Sequence, residues 1–156
     1  MSTSASLSIR PATLEDVAAV APLLDAYRQF YEQAPDLDWA TRFLTERLAQ
    51  GESVVLLAEH AEQGLLGFCQ LYPSFCTVLL APIYTLYDLF VLPTARKTGT
   101  GTALLQAAEA LGHREGRARL DLTTAKTNTT AQALYAAQGW VRDDVFLTYN
   151  RTLTGA

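Results

Sequence analysis

Cysteine, histidine and methionine are scarce in this 156-residue chain, which has two Cys, two His and one Met. Cys69 and Cys76 stand apart with no CxxC and no pair of histidines near them, and His60 and His113 lack ligand spacing. No metal site and no disulfide framework is therefore expected; buried free thiols in a reducing compartment fit better. Basic residues are also few, with 12 Lys and Arg against 16 Asp and Glu and a net charge of −4. That balance lacks the positive footprint of a nucleic-acid binder. The longest apolar stretch, Phe75 to Leu92, is interrupted by Pro82 and Asp88 and is rich in strand formers, so it reads poorly as a membrane helix. The start, Met-Ser-Thr-Ser-Ala-Ser-Leu-Ser, has neither the basic nor the apolar region of a secretory signal. A soluble, cytoplasmic protein is expected. Only 6 Pro and 9 Gly accompany 49% hydrophobic residues, the balance of a globular core and not of a disordered chain. The length suits one domain, 7–153, after a flexible N-terminus, 1–6.

Leu7 to Pro11 reads as a strand, and Thr13-Leu-Glu-Asp16 offers a cap and first-turn acids for a helix carrying Val17, Val20, Ala21, Leu24, Tyr27 and Tyr31 at helical spacing. Pro35, Asp36 and Asp38 break it, and a second helix runs from about Trp39 to Gln50. Ser53 to Glu59 and Leu65 to Tyr72 form a hairpin about Gly64. Pro73 and Pro82 bracket a loop, and Tyr84 to Val91 is another strand. A helix to about His113, a strand Ala118 to Thr124 and a helix Thr129 to Gln138 follow. Trp140 to Arg142 and Val145 to Leu153 can pair across Asp143-Asp144, which is turn chemistry. The order βααβββαβαββ predicts a mixed α/β protein, one layer of sheet with helices on both faces.

Between strand Leu86–Val91 and the helix starting near Gly101 lies Leu-Pro-Thr-Ala-Arg-Lys-Thr-Gly-Thr-Gly. The first N–H groups of a helix have no intrahelical partner and point outward with its positive dipole end, which suits a diphosphate. Gly99 and Gly101 allow close approach to the backbone, and Arg96 and Lys97 add positive charge. A dinucleotide fingerprint competes, with Asp121 at about the right distance, but Leu104 occupies its third glycine position and the loop is too long for its tight turn.

Arg96-x-x-Gly99-x-Gly101 after a Leu-rich strand resembles the acetyl-coenzyme A motif of the GCN5-related N-acetyltransferase (GNAT) superfamily. Asn128-x-x-Ala131-x-x-Leu134-Tyr135-x-x-x-Gly139-Trp140 is similar to that family's late helix, and Ile9-Arg-Pro-Ala-Thr13 with Glu15-Asp16 is similar to its opening. The ending, Gly139 to Tyr149, resembles the branch holding histone and polyamine acetyltransferases. Lys97 departs from the commonest pattern, which often has glycine there.

The resemblance implies a V-shaped splay between the fourth and fifth strands into which the pantetheine arm of acetyl-CoA is laid. It assigns the diphosphate to the backbone of Lys97, Thr98, Gly99, Thr100, Gly101 and Thr102 beside Arg96, the arm to Leu89 and Val91, and further cofactor contacts to Asn128 and Tyr135. It makes Tyr135 the acid that protonates the departing thiolate and the Val91 N–H the oxyanion partner. Asp88 is the one carboxylate on its strand. Amid Leu86, Tyr87, Leu89 and Phe90 it would have a raised pKa if buried unpaired, which suits a base or an ammonium site; Tyr87 is the alternative on the opposite face.

The implied reaction is direct attack of a primary amine, polyamine-like or a protein lysine, on acetyl-CoA in a ternary complex. Tyr27, Phe30, Tyr31, Glu32, Asp36 and Asp38 combine aromatic faces with acids as a cation-binding wall would, with Tyr27 and Tyr31 the named substrate residues. A non-catalytic acetyl-CoA-binding regulatory module and an acetyltransferase for amino sugars or amino acids remain alternatives. The terminal strand offers an edge for a homodimer.

Overall fold

A computed structural model describes residues 6–154. Of the expected flexible N-terminus 1–6, all but Ser6 lies outside the described residues. The chain divides into two compact units, one ending at Thr123 and the other starting at Thr124.

The first unit carries β1 (Leu7–Pro11), α1 (Val17–Phe30), α2 (Leu37–Ala49), β2 (Val54–His60), β3 (Gly64–Cys76), β4 (Ala81–Val91), α3 (Thr100–Arg114) and β5 (Leu120–Asp121). The strands lie side by side in chain order, antiparallel from β1 to β4 and parallel between β4 and β5. Strand side chains alternate between faces. Val55 and Leu57 of β2, Phe68 of β3 and Phe90 of β4 form one buried cluster with Val17, Val20, Leu24 and Leu44 of α1 and α2. Helix α3 contacts β1 to β4 and brings fully buried Leu104, Leu105 and Ala108 to the sheet. The mixed α/β class holds.

Arg10 joins three elements. Its guanidinium meets both Asp16 oxygens at 2.9 and 2.8 Å and Glu59 Oε2 at 2.8 Å, tying β1 to β2 and to the turn entering α1. Hydrogen bonding from Arg10 and from the Thr13 N–H holds the Asp16 carboxyl down to about 2. At the other end of α1, buried Asp25 accepts from Arg28 and from the Asp36 N–H (2.9 Å), which fixes the entry to α2.

Two expectations for this unit are corrected. Pro73 and Pro82 do not bracket a loop: β3 and β4 run through them, with Pro73 opposite Tyr84, Phe75 opposite Pro82, and the turn at Thr77 to Leu80. The Tyr84 N–H donates outward to Arg119 O, so Pro73 faces Tyr84 as a non-hydrogen-bonded pair, and Pro82, two residues from Tyr84, faces Phe75 in the same way. Neither proline is asked for the N–H it lacks in that ladder. The strand expected at Ala118–Thr124 shortens to Leu120–Asp121.

The second unit holds α4 (Thr129–Ala137). Asn128 caps it, Oδ1 accepting from the Ala131 N–H at 3.1 Å, and Gly139 at φ +87° follows its end. The two closing strands expected at Trp140–Arg142 and Val145–Leu153 are absent among the described residues. A strand persists only in a ladder, and this segment finds none within its own unit. The expected turn does form, Asp143 Oδ1 accepting from the Val145 and Phe146 N–H groups. No described helix is long and apolar enough to cross a membrane.

Candidate active site

The open edge of β4 organises the first unit's chemistry. β5 pairs only with Tyr84 and Thr85, so no strand covers that edge from Leu86 to Val91 among the described residues. On its other edge, the Leu92 N–H donates to Leu66 O at 2.8 Å, which makes Gly67 and Val91 a non-hydrogen-bonded pair. The N–H and C=O of Val91 therefore turn toward the uncovered edge, and by alternation so do those of Leu89 opposite Cys69. Sheets rarely leave mid-strand amides unpaired, and an extended ligand laid along the edge would satisfy them.

The strand leads into a short 3₁₀ turn, Pro93–Ala95, and then to α3. Arg96 folds back, Nε donating to Val91 O at 3.0 Å. Lys97 (φ +63°) and Gly99 (φ +89°) both adopt the left-handed region, which is costly for lysine, and they swing the chain so that α3 starts beside the strand end. The Thr98 hydroxyl bonds Ala95 O and lies 3.0 Å from that of buried Thr100. No side chain caps α3 and no acid lies in its first turn. An uncapped helix start flanked by two cations suits a diphosphate, and a Cβ built on Gly99 would meet no neighbour.

Asp88 lies on the α1 side of the sheet, buried with 8% of its surface exposed. Its register partner is Gln70, whose Nε2 donates to Asp88 Oδ2 at 2.9 Å. Immediately beyond this pair the ladder slips, so that Leu71 faces Leu86 and Tyr87 is the extra residue of a bulge. Burial pushes the Asp88 carboxyl above its ordinary value, against the opposing pull of the Gln70 hydrogen bond and of the nearby Tyr27 hydroxyl, which donates to Tyr87 O at 3.5 Å.

Aromatic side chains wall this carboxylate. Tyr27 contacts Tyr31 edge-to-face at 5.1 Å and lies 6.1 Å from both Phe68 and Phe90. Burial first, then the Asp88 charge, pushes the Tyr27 phenol up; the same two causes push Tyr72 up to about 12. The Tyr72 ring meets Tyr87 at 5.5 Å, and Tyr87 itself is exposed.

Of the residues expected from sequence, Tyr27, Tyr31 and Asp88 come together, and Leu89, Val91, Arg96, Lys97, Thr98, Gly99, Thr100, Gly101 and Thr102 line one strand end and its turn. Asp36 leaves the expected cation wall, since its carboxylate caps α2 by accepting from the Trp39 N–H at 3.0 Å. Asn128 and Tyr135 belong to the second unit, where the Tyr135 ring lies 6.1 Å from that of Trp140. Gln70 was not expected. Its signal was a lone amide alternating with Phe68 and Tyr72 on one face of an apolar strand.

The sequence model of the Acetyltransferase (GNAT) family matches residues 20–140 of the chain. An uncharacterized N-acetyltransferase of Bacillus subtilis (strain 168), YhfO, is 45% identical over 143 residues, which is 92% of this chain and 95% of the relative. A crystal structure of a probable acetyltransferase superposes with a TM-score of 0.90 at 35% identity, covering 96% of this chain and 99% of the other. The crystal structure of a putative acetyltransferase from Arthrobacter sp. FB24 has a TM-score of 0.80 at 30% identity, covering 94% and 96%.

Proposed function

The chain belongs to the GNAT acetyltransferase family, and from that premise we propose that it moves the acetyl group of acetyl-coenzyme A onto a primary amine by direct attack in a ternary complex. The observation that carries the reading is the uncapped, acid-free start of α3 at the end of a strand whose outer edge has no partner. The family model runs through Thr123 and Thr124, which supports treating 7–153 as one acetyltransferase domain.

When bound, acetyl-CoA supplies the thioester carbonyl and the thiol that leaves. The N–H groups opening α3 at Thr100, Gly101 and Thr102 bind the diphosphate, with Arg96 and Lys97 balancing its charge and Thr98 and Gly99 shaping the turn. The main chain of Leu89 hydrogen-bonds the pantetheine arm, joined by the Val91 C=O once Arg96 turns from it to the diphosphate. Asp88 draws in the cationic amine beside the Tyr27 and Tyr31 rings and takes its proton, releasing the lone pair. The Val91 N–H donates to the carbonyl oxygen as charge develops there. Tyr135, assigned by the match of its motif to the family's late helix, donates the proton that the departing sulfur needs and is restored by the second proton that the nitrogen loses as the amide forms, and Asn128 assists in holding the cofactor.

The favoured acceptors are polyamine-like amines or a protein lysine, because aromatic side chains wall the single carboxylate of Asp88, as a cation requires. Titration of acetyl-CoA in a calorimeter should give heat of binding, and a panel of primary amines should give coenzyme A release. Tyr135→Phe should keep the heat and lose most of the release. No heat would overturn the reading, and heat without release from any amine would make the protein a non-catalytic binding module.

A cytoplasmic location fits the two free thiols. A homodimer belongs to the same reading: Val141, Val145, Phe146, Leu147, Tyr149 and Leu153 are all strongly exposed in the closing segment, and a second copy would cover them. Light scattering at micromolar concentration should give twice the chain mass; a monomer would count against it.

A further inference from the structure

We propose that Gln70 is the positioning residue of the site: its side-chain N–H, donated across the ladder, keeps Asp88 ionised and aimed, and the amide is present for that purpose and not for packing. The inference rests on Asp88 as the base. It starts from a bond and from the oxygen at the other end of the same amide. The Gln70 Nε2 to Asp88 Oδ2 bond of 2.9 Å joins direct register partners at the edge of the bulge, so the backbone fixes both ends. An ionised carboxylate can only accept, so Gln70 must present nitrogen to it. Its Oε1 is then buried with no hydrogen-bond partner among the described residues.

An orphaned buried carbonyl is unfavourable, and Gln70 is 1% exposed. Phe68 and Phe90 lie on the same face, where an unbranched apolar side chain would pack without that penalty. The arrangement is a poor one for stability and a good one for holding a buried carboxylate charged. The groups bearing on Asp88 are few. Tyr27 of α1 lies against it with its hydroxyl donating to Tyr87 O at 3.5 Å, while Tyr72, which the Gln70 side chain also meets, and Cys69 of β3 feel its charge. Tyr31 of α1 acts on Tyr27, and Arg47 of α2 acts on Tyr72. No cation is among the groups that set the Asp88 carboxyl, so the Gln70 donor is a principal opponent of its desolvation.

The test follows the carboxyl directly, using the full chain labelled at aspartate carbonyl carbons and glutamine side-chain nitrogens. In the unaltered protein, the Gln70 amide resonance should titrate with the midpoint of the Asp88 carboxyl. In Gln70→Met, that midpoint should move up by about one to two pH units, while the melting temperature, read in acid where Asp88 is protonated in both the folded and the unfolded chain, holds or rises. With an amine that turns over, the acid limb of kcat/KM should move by the same amount. A structural role for Gln70 predicts the reverse, a fall in melting temperature with an unmoved midpoint. An amide resonance that stays flat through the Asp88 titration would overturn the proposal without any variant. Loss of the base assignment itself would appear separately, as full turnover in Asp88→Asn.

Discussion

Asp88→Asn should lower kcat/KM by roughly 10²- to 10⁴-fold, the usual worth of a positioned general base, and should make the protein more heat-stable at neutral pH. Both effects come from burial. A carboxyl whose folded pKa lies above the ordinary 3.8 binds its proton more tightly in the native state than in the unfolded chain. Its contribution to stability is therefore complete below the unfolded value and is lost as pH rises through the folded one. Asparagine keeps the shape and can still accept from Gln70, but it has no charge to bury. In the unaltered enzyme, kcat/KM should rise with pH across the Asp88 titration, and the variant should lose that limb. A pH–rate profile beside a melting curve checks both. Turnover within about threefold of the original, or a lowered melting temperature, would remove Asp88 from the role of base.

Such a trade between stability and chemistry explains which parts of the molecule were legible before folding. Helix α1 was, because Val17, Val20, Ala21 and Leu24 repeat at 3.6 residues and all four are buried. The turn before α3 was, because glycines, cations and a helix start recorded one ligand chemistry in one short segment. Asp88 was visible as an acid where the pattern called for an apolar residue. Its partner was not, because a hydrogen bond across a ladder depends on register, and register here depends on a bulge that no local signal marks. Asp36 was misread for a related reason: an acid before a helix serves as cap or as ligand, and only the 3.0 Å bond to the Trp39 N–H decides between them. The prolines misled in the opposite direction. Proline signals a loop only where its missing N–H matters, and at Pro73 and Pro82 the ladder points that position elsewhere.

The same register makes Gly67 the position least tolerant of a single added carbon. A Cβ built there would fall 2.6 Å from Phe90 O and 3.2 Å from Val91 Cα, both main-chain atoms that cannot rotate away. Gly67→Ala must therefore push β4 outward at the residues that carry the chemistry, between the Asp88 carboxylate and the Val91 N–H. The expected cost is about 3 kcal/mol, or roughly 6–12 °C in melting temperature for a chain of this size. Gly112→Ala is the control: its Cβ would meet Leu120 Cδ1 at 3.0 Å, the end of a side chain able to give way, and it should cost markedly less. Catalysis should separate the two still further. A displaced Val91 amide no longer points where the carbonyl oxygen develops charge, so Gly67→Ala should lose kcat by about 10-fold or more even at a temperature where it is fully folded. Thermal melts of both variants, with turnover measured well below the lower transition, decide the matter. A Gly67→Ala protein that melts like the unaltered one would mean that β3 and β4 do not approach as closely as this ladder requires.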